Sequence, residues 1–327
     1  MRPEDHTATP PHQAPADGAD QLPVGQAPPD WPQADQAPPD HEVSRRPLDA
    51  ARLAREAVRP GGLWRAVEVV DRTGSTNADL LERALAGEPE GVVLAAEEQS
   101  AGRGRRGRTW VAPPCSALTF SLLVRPAAVP PARRGWLPLL TGVAVAAAVT
   151  SVAGLPVTLK WPNDVLADAG TGAGTDADAG AGAGAAKLAG ILAEAAGDAI
   201  VVGVGLNVSA GPAELPPPGP GALPATSLRV AGAAVADREP LLLAILDGFE
   251  RRYQAWRQAV GDPERSGLRA EYTGLSGTIG RRVRAELPGG QVLSGLAVGV
   301  DPDGRLLVRS SPGAEVPVAA GDIVHLR

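Results

Sequence analysis

Residues 187–208 read KLAGILAEAAGDAIVVGVGLNV. Two apolar runs, 187–194 and 200–208, fit neighbouring strands joined by a very short connection, which argues for a mixed sheet rather than a regular parallel one. Working upstream, residues 157–166 are extended, and between them and Lys187 lies DAGTGAGTDADAGAGAGAA (168–186), a Gly/Ala/Asp low-complexity insertion. Residues 133–152 predict a long, mostly buried helix. Residues 117–124 and 92–97 predict strands, and a loop over 99–108 connects them. Ser75-Thr76-Asn77 caps a helix that runs to about residue 86, with Leu80, Leu81 and Leu85 on one face, and residues 64–70 are strand-like.

Downstream, residues 212–224 form a Pro-rich loop. Leu241, Leu242, Ile245, Leu246, Phe249, Tyr253 and Trp256 recur at helical spacing within 240–259, and 264–272 extends the pattern. From Thr278 onward, short β-like runs separated by Pro-Gly-Gly, Asp-Pro-Asp-Gly and Ser-Pro-Gly turns predict a small barrel. The expected organisation is a disordered Pro/Ala/Asp tail over 1–47, a folded part beginning near Leu63, one domain over 63–273 and a second over 274–327.

Composition excludes several classes of chemistry. The single cysteine, Cys115, rules out an internal disulfide and points to a reducing compartment. His6, His12 and His41 lie in the tail and His325 near the end, so a histidine triad or a His-rich metal centre has little material. The start carries no apolar signal segment, and the weakly polar stretch 136–156 reads as a buried helix rather than a membrane span. Up to Val43 the tail holds eight acidic residues and one Arg, whereas the remainder has 29 acidic against 30 basic residues, so the net charge of −6 belongs to the tail.

The rarer residue types are more informative. Of 31 basic residues only Lys160 and Lys187 are lysine, and Asn77, Asn163 and Asn207 are the only asparagines. A lysine offers a compact point charge where arginine offers a planar fork. All five fall in short motifs within about 130 residues. Gly102-Arg103-Gly104-Arg105-Arg106-Gly107-Arg108 places arginine forks among glycines that admit close backbone approach, a pattern that suits an anion, a nucleic-acid patch or a solvated basic loop. It is not a Walker loop. Lys160-Trp161-Pro162-Asn163-Asp164 fits either a self-bonded turn or a carboxylate near Mg²⁺ or a nucleotide.

Taken together, Gly74-Ser75-Thr76-Asn77, Gln99 before GRGRRGR, KWPND, KLAGIL and GLNV, in that order, closely resemble the biotin protein ligase family over about 67–208. A weaker match ends in Gly321-Asp322-Ile323-Val324. The resemblance implies an α+β fold: a mixed β-sheet catalytic domain with flanking helices, of the class II synthetase-like or biotin–lipoate ligase type, followed by a small SH3-like β-barrel. It implies ATP and Mg²⁺ as cofactors and biotin as substrate. Ser75, Thr76, Asn77 and Gln99 would face the ureido head of biotin. Arg103, Gly104, Arg105 and Lys187 would meet its carboxylate, with Lys187, Arg103 and Arg105 acting in catalysis. Gly102, Arg106, Arg108, Trp110, Asn163 and Asn207 would hold ATP or the adenylate, and Asp164 would stand near the metal. The implied partner is the biotin carboxyl carrier domain of an acyl-CoA carboxylase, met by a cytoplasmic monomer or weak homodimer with no nucleic-acid or membrane partner. Two other readings are a lipoate or octanoate ligase of the same fold and a nucleic-acid-binding module using the Arg-rich loop. The Pro-rich tail lacks the amphipathic helix pair of a DNA-binding domain, so the sequence predicts no repressor activity.

Overall fold

The structure is a computed structural model that describes residues 45–168, 184–219, 222–287, 291–310, 313–319 and 321–326. Most of the expected tail and of the Gly/Ala/Asp insertion therefore lies outside the described residues. Seven strands form a mixed sheet: β1 (Ala66–Thr73), β2 (Val92–Gln99), β3 (Ala117–Val124), β4 (Thr158–Lys160), β5 (Asp164–Asp168), β6 (Ala185–Ala196) and β7 (Ala199–Asn207). They stand in the order β1-β2-β3-β7-β6-β5-β4. Only β1 and β2 pair in parallel, and every other ladder is antiparallel.

The strands' alternation divides the sheet into two faces. Leu118, Phe120, Leu122, Val202, Val204 and Leu206 join the main core with the helices α3 (Trp136–Ala153) and α4 (Arg238–Gln258). Leu123 and Val201 point the other way, toward Leu80 and Ala84 of the helix α2 (Thr76–Leu85). Helix α3 is apolar all round, which is the pattern of an interior helix. Its stretch is long and apolar enough to cross a membrane, with mean hydropathy 1.8, yet 72% of it is buried in the fold.

One irregularity in β6 matters for the site. Val165 pairs with Ala189 but Leu166 pairs with Lys187, so an extra residue bulges from β6. Strict alternation would put Lys187 on the face opposite Gly190. The bulge restores Lys187 to the face of Gly190, where a Cβ would lie 3.2 Å from Lys187 Nζ.

The chain is ordered earlier than the expected start near Leu63. Helix α1 (Ala50–Ala57) is capped by Asp49 and buries only Leu53 and Ala57. Such a short helix is marginal in isolation and depends on docking. The docking runs through charge: Glu97 and Arg238, both buried, pair at 2.5 Å, and Leu48 N–H donates to Glu97 Oε1 at 2.5 Å. Arg238 also donates to the Arg46 carbonyl, and Arg45 pairs with Glu214 at 2.6 Å. Leu48, Leu53 and Ala57 also join the main core, but the apolar stripe is short and built largely of alanine, so it gives a weak signal in the sequence. The α4 pattern also ends sooner than expected. Val260 and Gly261 adopt positive φ, and a separate α5 (Leu268–Leu275) follows.

The strands β8 (Arg282–Glu286), β9 (Val292–Val300), β10 (Leu306–Arg309), β11 (Glu315–Val318) and β12 (Asp322–His325) form the small all-antiparallel SH3-like unit. Two buried tryptophans join it to the larger sheet. Trp161 Nε1 donates to the Gly304 carbonyl at 3.0 Å, and Trp136 Nε1 donates to the Pro302 carbonyl at 3.1 Å. Trp161 N–H donates to Thr278 Oγ1 at 3.1 Å, and that hydroxyl lies 3.1 Å from His325 Nε2.

Burial, with Lys160 and Arg281 nearby, pushes His325 down to about 4. A histidine with a depressed folded pKa contributes full stability above about 6.5 and loses it as pH falls toward about 4, because the unfolded chain binds the proton first. Partial exposure reduces the effect to about 1–2 kcal/mol. Denaturant melts at pH 7 and pH 4.5 should show that loss in the parent and a smaller one in His325→Gln. Equal losses in both would remove His325 from the account.

Candidate active site

A cleft opens between the N-terminus of α2, the sheet and the Arg-rich segment. Ser75, Thr76, Asn77, Gln99, Arg103, Gly104, Arg105, Arg108, Trp110, Asn163 and Lys187 all line it. The structure thus gathers eleven of the fifteen residues singled out above.

At the inner end, a hydrogen-bonded chain fixes the polar side chains. Ser75 caps α2, its hydroxyl accepting from Ala78 N–H at 3.4 Å. Gln99 Oε1 accepts from Thr76 N–H at 2.8 Å and is 3.1 Å from the Thr76 hydroxyl, which also sits 2.7 Å from Ser121 Oγ. Ser121 donates to Asn77 Oδ1 at 2.6 Å, and Asn77 Nδ2 donates to the Leu192 carbonyl at 3.2 Å and to Glu194 Oε2 at 2.8 Å. Asn77 thereby spends both donors on protein, and Gln99 has its carbonyl engaged by Thr76. Satisfied buried networks of this kind are rigid.

Leu192 and the Trp110 indole supply apolar side walls, whereas Phe120, Ile191 and Val204 border the cleft from strand positions whose side chains join the main core. Glycines in the strands make room for them. A Cβ on Gly205 would lie 2.6 Å from Trp110 Cζ2, and one on Gly203 would lie 2.9 Å from Asn77 Cγ. Such glycines mark close approach rather than turning. Trp110 Nε1 is buried and makes no hydrogen bond.

The mouth is cationic. The segment expected as a loop is a small hairpin: Trp110 N–H donates to the Gly102 carbonyl at 2.9 Å, and Gly104 N–H to the Arg108 carbonyl at 2.7 Å. Its exposed tip places Arg106 at φ 56, a left-handed conformation. Arg103 Nη1 lies 3.3 Å from Glu194 Oε1, and Arg105 Nη1 donates to Asn163 Oδ1 at 3.0 Å. Both guanidinium groups thus turn toward the cleft. A second, open depression adjoins it, shares Arg105, Asn163, Ile191 and Leu192, and extends to Asp303–Arg305 of the SH3-like unit.

Four of the expected residues do not line the cleft. Gly102 is buried in the hairpin stem and Arg106 stands at the exposed tip. Asn207 is buried, and its Nδ2 donates to the Thr226 carbonyl at 2.9 Å, so its amide ties down the segment after the Pro-rich loop. Asp164 Oδ1 lies 2.7 Å from Lys187 Nζ, and its Oδ2 is 3.8 Å from Lys160 Nζ. A carboxylate flanked by two ammonium groups does not fit a metal ligand. Among the described residues no cluster of three His, Cys, Asp or Glu could cradle a cation.

Sequence reasoning missed Ser121, Glu194, Gly203 and Gly205. Their signals were a hydroxyl and a carboxylate inside apolar strands, and paired glycines in a third.

Residues 69–208 match the Biotin/lipoate A/B protein ligase family, and residues 278–326 the Biotin protein ligase C terminal domain. The chain is 44% identical over 292 residues to the biotin--[acetyl-CoA-carboxylase] ligase of Mycobacterium tuberculosis, covering 88% of this chain and 99% of that protein. It is 30% identical to the bifunctional ligase/repressor BirA of Bacillus subtilis, covering 74% of this chain and 69% of that one. Among solved structures, the biotin protein ligase from Aquifex aeolicus in complex with biotin and ATP superposes with TM-score 0.62 at 25% identity, covering 80% of this chain and 98% of that chain. On these matches, and with a cleft assembled from the motif residues themselves, the chain belongs to the biotin protein ligases of the biotin/lipoate A/B protein ligase family.

Proposed function

We propose that this protein adenylates the carboxylate of biotin with ATP and transfers the biotinyl group to a lysine on the biotin carboxyl carrier domain of an acyl-CoA carboxylase, in the cytoplasm. The observation that carries the reading is one cleft with a fixed polar end, apolar walls and a cationic mouth. Biotin has the matching order of parts: a ureido head, a thiophane ring with an aliphatic tail, and a carboxylate. A lipoate or octanoate chain has no polar head to satisfy the Gln99–Thr76 end, and buried polar groups left unpaired reject such an acid. The nucleic-acid reading is disfavoured because Arg103 and Arg105 turn inward to Glu194 and Asn163.

In the first half-reaction a biotin carboxylate oxygen attacks the α-phosphorus of ATP and pyrophosphate leaves. In the second, the neutral carrier amine attacks the mixed-anhydride carbonyl and AMP leaves. Lys187 supplies a compact ammonium where the carboxylate and the α-phosphate oxygens crowd together. Arg103 and Arg105 supply forks at the mouth. Positioning and charge neutralisation account for the chemistry, and no histidine is required. The direct test is to incubate the protein with an isolated carrier domain, biotin and MgATP. A mass increase of one biotinyl group on the carrier lysine is expected, and none would refute the reading.

Arg105 has a second consequence. Losing a charge-assisted hydrogen bond, about 1.5–3 kcal/mol, speeds escape of the bound adenylate by about ten- to a hundredfold. Arg105→Gly should therefore release adenylate in rapid filtration and label bystander proteins such as albumin. Release at the parent rate, with slower adenylation, would make the hairpin purely catalytic.

A further inference from the structure

Glu194 stands four residues beyond Gly190 on the same face of β6, in the apolar run that follows Lys187. A carboxylate in such a strand is costly to desolvate unless it is engaged, and both of its oxygens are. Oε2 accepts from Asn77 Nδ2 at 2.8 Å, and Oε1 lies 3.3 Å from Arg103 Nη1. It therefore touches the fixed polar end of the cleft with one oxygen and the Gly/Arg hairpin with the other. We propose that Glu194 is a positioning residue that locks the Asn77 amide in the wall of the cleft and tethers the hairpin over the mouth through Arg103. Its consequence for catalysis rests on the biotin-ligase reading.

The strength of the tether suits a replaceable hold. The side chains of Arg103 and Glu194 are 43% and 26% exposed, so solvent screens the pair and its contribution is small. A substrate carboxylate or phosphate arriving in the drier cleft competes for the same guanidinium with stronger, charge-assisted bonds. The hairpin is thereby held near its working position by one anion and handed to another. The Asn77 lock is of a different kind: Asn77 is buried and fully bonded, and it does not change partners.

Glu194→Gln separates the two roles, because it keeps an acceptor oxygen for Asn77 and removes the charge facing Arg103. Limited trypsin digestion of the full chain, followed at the bond after Arg106 on the exposed tip, reads the tether. Without added ligand, E194Q should be cut about two- to fivefold faster than the parent. Saturating biotin and MgATP should bring the two to the same slow rate. Arg103→Ala should match E194Q, and the double variant should be no faster than either. Unchanged cutting in E194Q, or fully multiplicative effects in the double variant, would overturn the tether. Calorimetry reads the lock: Glu194→Ala should weaken biotin binding by about tenfold, the loss expected for one buried hydrogen bond, and E194Q should restore it. Equal affinities in E194A and the parent would overturn the lock. A parent that neither binds biotin nor is protected by it would refute the biotin-ligase reading instead, with the digestion in the absence of ligand still deciding the tether.

Discussion

Lys187→Ala should lower the single-turnover rate of adenylate formation by about two to three orders of magnitude, the scale seen when a preorganised charge at the reacting atoms is removed. The structure adds a reason beyond the lost cation. Lys187 neutralises Asp164 at 2.7 Å, so its removal leaves that carboxylate, with Lys160 at 3.8 Å, to repel an incoming carboxylate through the site. Lys187→Ala with Asp164→Asn should consequently recover about tenfold of the loss, a fraction of the full charge–charge term at intermediate dielectric. Lys187→Arg should rescue poorly, since the planar fork is larger and Lys187 Nζ already packs over Gly190, 3.2 Å from where a Cβ there would stand. Near-normal adenylation in Lys187→Ala would remove Lys187 from the chemistry.

The second large effect is expected from the smallest change. Gly203 lies in β7 opposite Ser121, and a Cβ there would stand 2.9 Å from Asn77 Cγ. In an ordinary strand interior, alanine is no worse than glycine. Here it must push the Asn77 amide away from Ser121, Leu192 and Glu194. Gly203→Ala should raise the KM for biotin by about ten- to a hundredfold, on the scale of one or two disrupted buried hydrogen bonds. Overpacking should cost about 1–3 kcal/mol of stability, and kcat at saturating biotin should change much less. The measurement is a steady-state titration of biotin beside a denaturant melt. An unchanged KM would mean that the Asn77 network does not shape the biotin end.

Periodicity and punctuation were enough to place most elements. β3 and α2 fall where the residues predict them, because an alternating apolar run and a Ser cap act locally. The elements that were missed depend on long-range partners. Helix α1 is only two turns long, with an apolar face built largely of alanine, and the segment leading into it is held by the buried Glu97–Arg238 pair, whose members are 141 residues apart. The site shows the same division. Lys187, Asn77, Asn163 and the strand glycines mark the cleft because close packing and point charges leave few substitutes. Asn207, by contrast, sits in a motif yet bonds to Thr226, and Asp164 bonds to Lys187. Only a bulge, invisible to period-two reading, decides that Lys187 faces the cleft.

The central claim is that the polar end of the cleft selects biotin and that its cationic mouth activates biotin's carboxylate. ATP–pyrophosphate exchange, run with biotin, lipoate and octanoate in parallel on the full chain, tests it most directly. The account predicts exchange that depends on biotin and is at or near background with the other two acids. Exchange supported by lipoate or octanoate as well as by biotin, or by none of the three, would contradict it.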